Sequence, residues 1–456
     1  MTTLVWFRQD LRLEDNPALH AASQGNGAVI PVYIWSPEDE GDWPPGAASR
    51  WWLHQSLRAL DRDLRKRGSR LILAKAPASR VLEQLLVQTK ATAVYWNRRY
   101  EPAARECSDA VEKRLHARGV ETQSFNSALL AEPQDVLNKS GLPYRVYTPY
   151  MRRMLHELKP STPLAAPSQM RAPKSWPSSR TLDDLGLLPS IRWYTTMAEM
   201  WTPGEAGARK HLARFLEHTI GDYAHSRERP AESGTSRLSP HLHFGEIGPR
   251  QIWHALGAKG RTSQFLREIL WREFAYHLLY HFPDTTTQPL RPEFARFPWK
   301  KNTKLLRAWR RGRTGVPMVD AGMRELWATG VMHNRVRMIV ASFLVKNLLQ
   351  PWQDGARWFW DTLVDADLAA NSMNWQWVAG SGADAAPYFR IFNPVLQGQR
   401  FDPSGEYVRR WVPERATAPN VHAPDDDAIV DLKESREAAL DAYEDMRGAR
   451  SKRART

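Results

Sequence analysis

Cysteine is nearly missing from this chain: one residue, Cys107, among 456. A single thiol excludes an intrachain disulfide framework, a cysteine-built zinc site and a cysteine-held iron–sulfur cluster. No metal site is expected, and the cysteine usage fits a cytoplasmic setting. No apolar run reaches the roughly 18 residues that a membrane helix needs, and the opening MTTLVWFRQD lacks a basic-then-apolar signal pattern. Neither membrane insertion nor export by that route is expected. A GxGxxG after the first strand-like run is also absent; Gly25 and Gly27 precede a strand instead of opening a helix. That argues against a dinucleotide on the first βα turn. Acidic residues are outnumbered, 50 against 64 Lys and Arg, for a net charge of +14. The balance favours a polyanionic partner such as nucleic acid.

Tryptophan is plentiful, with 20 residues, and suits core packing, stacking surfaces or redox work alike. The length exceeds what one hydrophobic core usually supports, so two domains are expected. Strand-like runs TLVWF, VIPVYIW, RLILA, AVYWN and ETQSF alternate with helix-compatible stretches near 47–67, 78–89 and 103–118. This rhythm predicts an α/β domain over 1–130 with a parallel sheet covered on both faces. Residues 131–195 are rich in Pro and Ser and read as a surface connector. Residues 196–456 carry spacings of three and four and predict an all-α domain, ending after Pro413 in a charged, solvated helix and a frayed basic tail.

Within the helical part, Glu268, Trp271 and Arg272 recur at i, i+3 and i+4, so an acid, a flat ring and a cation share one helix face. In HNRVRMIVASFLV an apolar stripe of Val336, Ile339, Val340, Phe343 and Leu344 leaves Asn334, Arg337 and Met338 on another face. The stretch GTSRLSPHLHFGEI offers hydroxyls and backbone N–H groups to a phosphate, or plain helix caps. In DTLVDADLAANSMNWQWVAG, Asp365 and Asp367 could pair for acid–base work or hold a polar ligand ring; taken alone, a helix-start carboxylate pair is the simpler reading.

Together these stretches resemble the DNA photolyase and cryptochrome family, from LVWFRQDLRLEDNPAL through GTSRLSPHLHFGEI, ILWREF, HNRVRM and DADLAANSMNWQW to FNPVLQGQRFD. The resemblance implies a Rossmann-like antenna domain followed by a helical domain that holds FAD and binds DNA. By motif, Tyr223, Thr235, Ser236, Arg237, Leu238 and Ser239 would hold the FAD phosphates and ribityl chain. Asp365, paired to Arg337, and Asp367 would bond the flavin and its neighbours, and Asn371 would sit beside flavin N5, where an amide tolerates the reduced form. The family's electron-transfer chain maps onto Trp375, Trp352 and Trp299, in order from flavin to surface.

The same resemblance implies light-driven repair of cyclobutane pyrimidine dimers by an electron from excited reduced FAD. Glu268 would hydrogen-bond the thymine edges, Trp271 and Trp377 would be apolar walls, and Met338 a soft contact. Arg227, Arg272, Asn334, Arg335 and Gln397 match positions that contact DNA. The (6-4) branch carries a His where Met338 stands, and signalling cryptochromes usually lose the Glu and Trp kept here. A cryptochrome-like blue-light receptor, a (6-4) photolyase and a non-enzymatic DNA-binding flavoprotein are the alternatives. Folate-binding members often place an Asn-Glu pair near a YE dipeptide, whereas Tyr100-Glu101 is followed by Pro102, Ala103 and Ala104. Methenyltetrahydrofolate is still placed ahead of a deazaflavin as antenna chromophore. UV-damaged DNA is the expected partner, with a monomer needing no obligate protein partner.

Overall fold

The structure, a computed structural model, describes residues 2–260, 263–385 and 389–453. Its contacts divide the chain into two compact units. One comprises Met1–Pro143, Tyr150–His218 and Ser236–His281; the other comprises Tyr144–Pro149, Thr219–Thr235 and Phe282–Thr456.

The first unit is built on strands β1 (Thr2–Phe7), β2 (Ala28–Trp35), β3 (Ile72–Lys75), β4 (Ala93–Asn97) and β5 (Glu121–Phe125). All pair in parallel, in the order β3-β2-β1-β4-β5, with Leu4 opposite both Ile30 and Val94. Helices α1 (Pro17–Gln24), α2 (Ala47–Arg65), α3 (Ala78–Thr89) and α4 (Pro102–His116) connect them. Strand side chains alternate between faces. Leu4, Trp6, Ile30, Val32, Ile34, Val94 and Trp96 thus turn to one core with Val81, Leu82 and Leu85 of α3 and Val111 and Leu115 of α4. Val5, Phe7 and Tyr33 are buried on the opposite side. Burial on both faces is what a parallel sheet requires.

At the carboxyl end of β1 the stretch RQDLRLEDN folds into a buried polar knot. Asp10 accepts from the Arg8 backbone N–H at 2.6 Å and from Asn97 at the end of β4. Asn16 accepts from Leu19 at 3.1 Å and so caps α1. Arg12 donates to the Gly245 carbonyl at 2.9 Å and the Ser127 carbonyl at 3.0 Å. Burial raises the Asp10 carboxyl, opposed by its hydrogen bonds from Arg8 and Asn97. The knot lies where the strand order reverses between β1 and β4.

The connector is not irregular throughout. Helix α5 (Tyr147–Glu157) interrupts it, and Tyr147, Tyr150, Met154, Met170 and Leu187 are buried. Its carbonyls also serve the α/β core: Leu164 accepts from Asp15 at 2.7 Å and Arg171 from Val29 at 3.0 Å. Proline-rich composition hid these anchors because backbone carbonyls carry no sequence signal.

The helical part includes α6 (Glu205–Arg214), α7 (Pro249–Gly260), α8 (Gln264–His281), α9 (Pro317–Thr329), α10 (Asn334–Ser342), α11 (Trp352–Thr362), α12 (Leu368–Ala379), α13 (Pro394–Phe401) and α14 (Leu432–Arg453). The run after α10 widens into a π-turn over Phe343–Asn347. There the buried Lys346 donates to the Ala379 carbonyl at 3.0 Å and sits over the Phe389 ring. The charged C-terminal helix is not wholly solvated. Ala439, Ala442 and Met446 form a stripe packed on Phe294, Phe297, Leu349 and Phe389. Residues 454–456 of the basic tail lie outside the described residues.

Candidate functional site

In the second unit the two aspartates of DADLAAN separate into different tasks. Asp365 accepts two contacts from Nη2 of Arg337, at 2.9 and 3.1 Å, and its side chain is only 4% exposed. Arg337 is held by a second bond, from Nε to the Met332 carbonyl at 2.7 Å. Asp367 caps α12 by accepting from the Ala370 N–H at 2.9 Å. The helix-start reading therefore holds for Asp367, while Asp365 belongs to an ion pair. One turn into α12, Asn371 donates its amide nitrogen to the Ala356 carbonyl at 3.0 Å. That assignment leaves Oδ1 as the atom that can accept from a ligand.

The residue set suits a flavin. Carboxylates accept from ring N–H groups, an arginine serves carbonyls or phosphates, and an acceptor oxygen at Asn371 complements the N5–H of a reduced ring. Tyr223 begins a short helix, Tyr223–Ser226, with the Arg227 guanidinium 5.7 Å from its ring. In the first unit, Ser236 accepts from Leu238 N–H at 3.4 Å. Arg237 adopts a left-handed φ of 55° with its guanidinium over Trp201. A non-glycine residue there is uncommon and folds the TSRLS run back sharply. Leu238, not Ser or Thr, occupies the cap of the helix Ser239–His243 and provides no side-chain cap bond. The plain N-cap reading of this loop is therefore set aside.

The three tryptophans of the expected chain all lie in the second unit. Trp375 and Trp352 are each 2% exposed, whereas Trp299 is partly exposed and packs 4.3 Å from Phe297. Trp375 and Trp352 are equally buried, and of the three only Trp299 reaches the surface. Phe359 and Trp309 flank Trp375 at 5.0 and 6.3 Å. No sequence pattern marked either as its neighbour.

On α8, Glu268, Trp271 and Arg272 are half-buried while Phe265, Ile269 and Phe274 are buried, as the spacing predicts. Glu268 accepts from Gln264 at 2.7 Å, and Trp271 meets Phe274 edge-on at 5.9 Å. Arg272 is turned inward: it donates to the Ala128 carbonyl at 2.8 Å and lies over the Tyr276 ring. Next to it, burial pushes the Glu273 carboxyl up to about 7, opposed by Arg272 and the Leu130 and Ala131 N–H groups.

In the second unit Asn334 is exposed, and Met338 and Trp377 are half-buried, with Trp377 donating to the Asp384 carbonyl at 3.1 Å. Arg335 pairs with Glu228, stacks on Phe401 and approaches the Met338 sulfur at 3.8 Å. Gln397 lies on α13, one turn before Phe401. Around Tyr100-Glu101 in the first unit, Arg99 forks onto Glu40 and reaches Glu101 at 3.3 Å, while the Tyr100 hydroxyl donates to Glu132 at 3.1 Å. These groups already bond one another.

A doubly wound parallel sheet in one unit and this flavin-compatible set define a two-part flavin-binding protein. The family description "FAD binding domain of DNA photolyase" matches residues 265–445, and "DNA photolyase" matches residues 3–168. The chain is 48% identical to the deoxyribodipyrimidine photo-lyase of Agrobacterium fabrum, covering 96% of this chain and 97% of that one. It is 41% identical to cryptochrome-2 of Arabidopsis thaliana, covering 95% of this chain and 74% of the plant protein. The crystal structure of a bacterial class III photolyase from Agrobacterium tumefaciens superposes with a TM-score of 0.93 at 46% identity, covering 98% of each chain. The chain belongs to the DNA photolyase and cryptochrome family. Among the described residues no helix is long and apolar enough to cross a membrane.

Proposed function

We propose that this protein is a deoxyribodipyrimidine photo-lyase, a carbon–carbon lyase that uses light to reopen cyclobutane pyrimidine dimers in DNA. The observation that carries the reading is the commitment of the Asn371 amide nitrogen to Ala356, which leaves an acceptor oxygen suited to reduced FAD. Similarity along nearly the whole of both chains, at 48% identity, to a protein of that name supports the same activity. Bound reduced FAD supplies the electron on excitation, and the protein supplies placement and electrostatics.

In the second unit, Tyr223, Thr235, Arg337, Asp365, Asp367 and Asn371 hold the cofactor. Asp365, neutralised by Arg337, orients it without leaving a lone buried charge. Trp299, Trp352 and Trp375 deliver electrons inward. Extruding a damaged dinucleotide costs roughly a few kcal/mol, and the chain recovers this through contacts to the exposed bases. Glu268 hydrogen-bonds the thymine edges and Trp271 packs beside them; Met338 and Trp377 provide further apolar contact. Arg227, Arg272, Asn334, Arg335 and Gln397 engage the DNA, Arg272 by leaving its internal partner.

Residues 1–130 form the antenna domain, 131–195 the connector and 196–456 the FAD- and DNA-binding domain. The antenna chromophore we favour is methenyltetrahydrofolate over a deazaflavin, and the protein works as a cytoplasmic monomer. Incubating the reduced protein with a dimer-containing oligonucleotide under blue light tests the activity. Light-dependent loss of the dimer is expected, and its absence would leave a cryptochrome-like receptor or a non-enzymatic flavoprotein.

A further inference from the structure

Among the described residues of the second unit, the polar atoms buried without a hydrogen-bond partner include Nε2 of His333, Nε of Arg335 and Oε1 of Gln397. Two of these residues are DNA contacts in the function proposed above, whereas His333 has no part in it. Their positions are linked. His333 caps α10, its Nδ1 accepting from the Arg335 N–H at 3.2 Å. The Arg335 guanidinium then stacks 4.3 Å from the centroid of Phe401, on the same helix as Gln397 and one turn beyond it.

The cap fixes the imidazole chemically. A ring whose Nδ1 accepts must carry its proton on Nε2 when neutral. Burial pushes the His333 imidazole down to about 4, against Glu228, with Arg337, Arg227 and Arg335 acting in the same direction as burial. The ring is therefore a neutral donor of fixed tautomer. A buried N–H left unpaired costs on the order of 1–3 kcal/mol, a cost that an arriving acceptor removes.

We propose that His333 is a specificity-determining DNA contact whose Nε2–H donates to an acceptor oxygen of the strand, on a backbone phosphate or a pyrimidine carbonyl. The inference rests on the DNA-repair reading.

His333→Ser tests it, because Ser is a good helix cap that lacks the Nε2–H. FAD absorbance and melting temperature should match the wild type, while affinity for DNA falls roughly tenfold. The same loss is expected for His333→Asn, a second good cap whose amide stops short of the Nε2 position. Equal loss on undamaged and dimer-containing duplexes assigns a phosphate oxygen; loss confined to the dimer assigns a base carbonyl. The slope of log affinity against log salt should not change, since a neutral donor releases no counterion. Wild-type affinity in both variants, or a shallower salt slope, would overturn the proposal. Wild-type protein that binds neither duplex would overturn the DNA-repair reading beneath it.

Discussion

The Trp375 ring occupies the space that a side chain at Gly355 would need: a Cβ on Gly355 would fall 2.1 Å from Cη2 and 2.5 Å from Cζ3 of that ring. Helices α11 and α12 meet at this point, and the contact fixes where Trp375 sits. Gly355→Ala should therefore destabilise the protein by about 1–3 kcal/mol, the usual cost of overpacking. It should also slow photoreduction of oxidised flavin more than it lowers FAD content. Denaturant melts and illuminated absorbance traces check both; unaltered photoreduction would mean that Trp375 moves without consequence.

Trp375→Phe should block photoreduction yet spare repair by protein reduced beforehand. In the proposed mechanism the tryptophan chain recharges the cofactor and is not in the path to the lesion. Comparing repair by chemically reduced and oxidised variant checks this, and normal photoreduction would point to another electron route.

Glu268→Ala should lower repair yield per absorbed photon far more than flavin content. Glu268 accepts from Gln264 on its own helix at 2.7 Å and is half-buried. A colourless, flavin-free variant would assign Glu268 to the scaffold.

Asp365→Asn should cost both stability and FAD. Removing one partner of a buried ion pair destabilises by about 3–5 kcal/mol; here the lower end applies because the Arg337 side chain is 27% exposed. Flavin absorbance of the purified variant and its unfolding midpoint provide the measurement.

Glu273 gives the fold a pH dependence of known sign. Its carboxyl loses a proton near 4.5 when exposed and near 7 when folded. Between those values the folded state binds more protons, so stability falls as pH rises and levels off above 7. The fall should be on the order of 3 kcal/mol. Glu273→Gln, which keeps an acceptor for the Leu130 N–H, should flatten the unfolding midpoint between pH 5 and 8 relative to wild type.

The sequence by itself determined the elements. Short runs alternating with helical stretches located all five strands, most plainly β1 and β2, which bury both faces and leave little choice of residue. Spacings of three and four located α8 and α10 and separated Glu268, Trp271 and Met338 from the core stripes beside them. Motif order and spacing were enough to place the chain in its family. What only tertiary structure decided was partnership between distant positions. The split of Asp365 and Asp367 into ion pair and helix cap depends on Arg337, 28 residues away. The available oxygen of Asn371 depends on the Ala356 carbonyl, a backbone atom that any residue type would present. Gly355 beneath Trp375, the carbonyl anchors of the connector and the unpaired Nε2–H of His333 are hidden for the same reason. A sequence records which side chains exist, while hydrogen-bond direction and steric room arise only when separate segments are packed together.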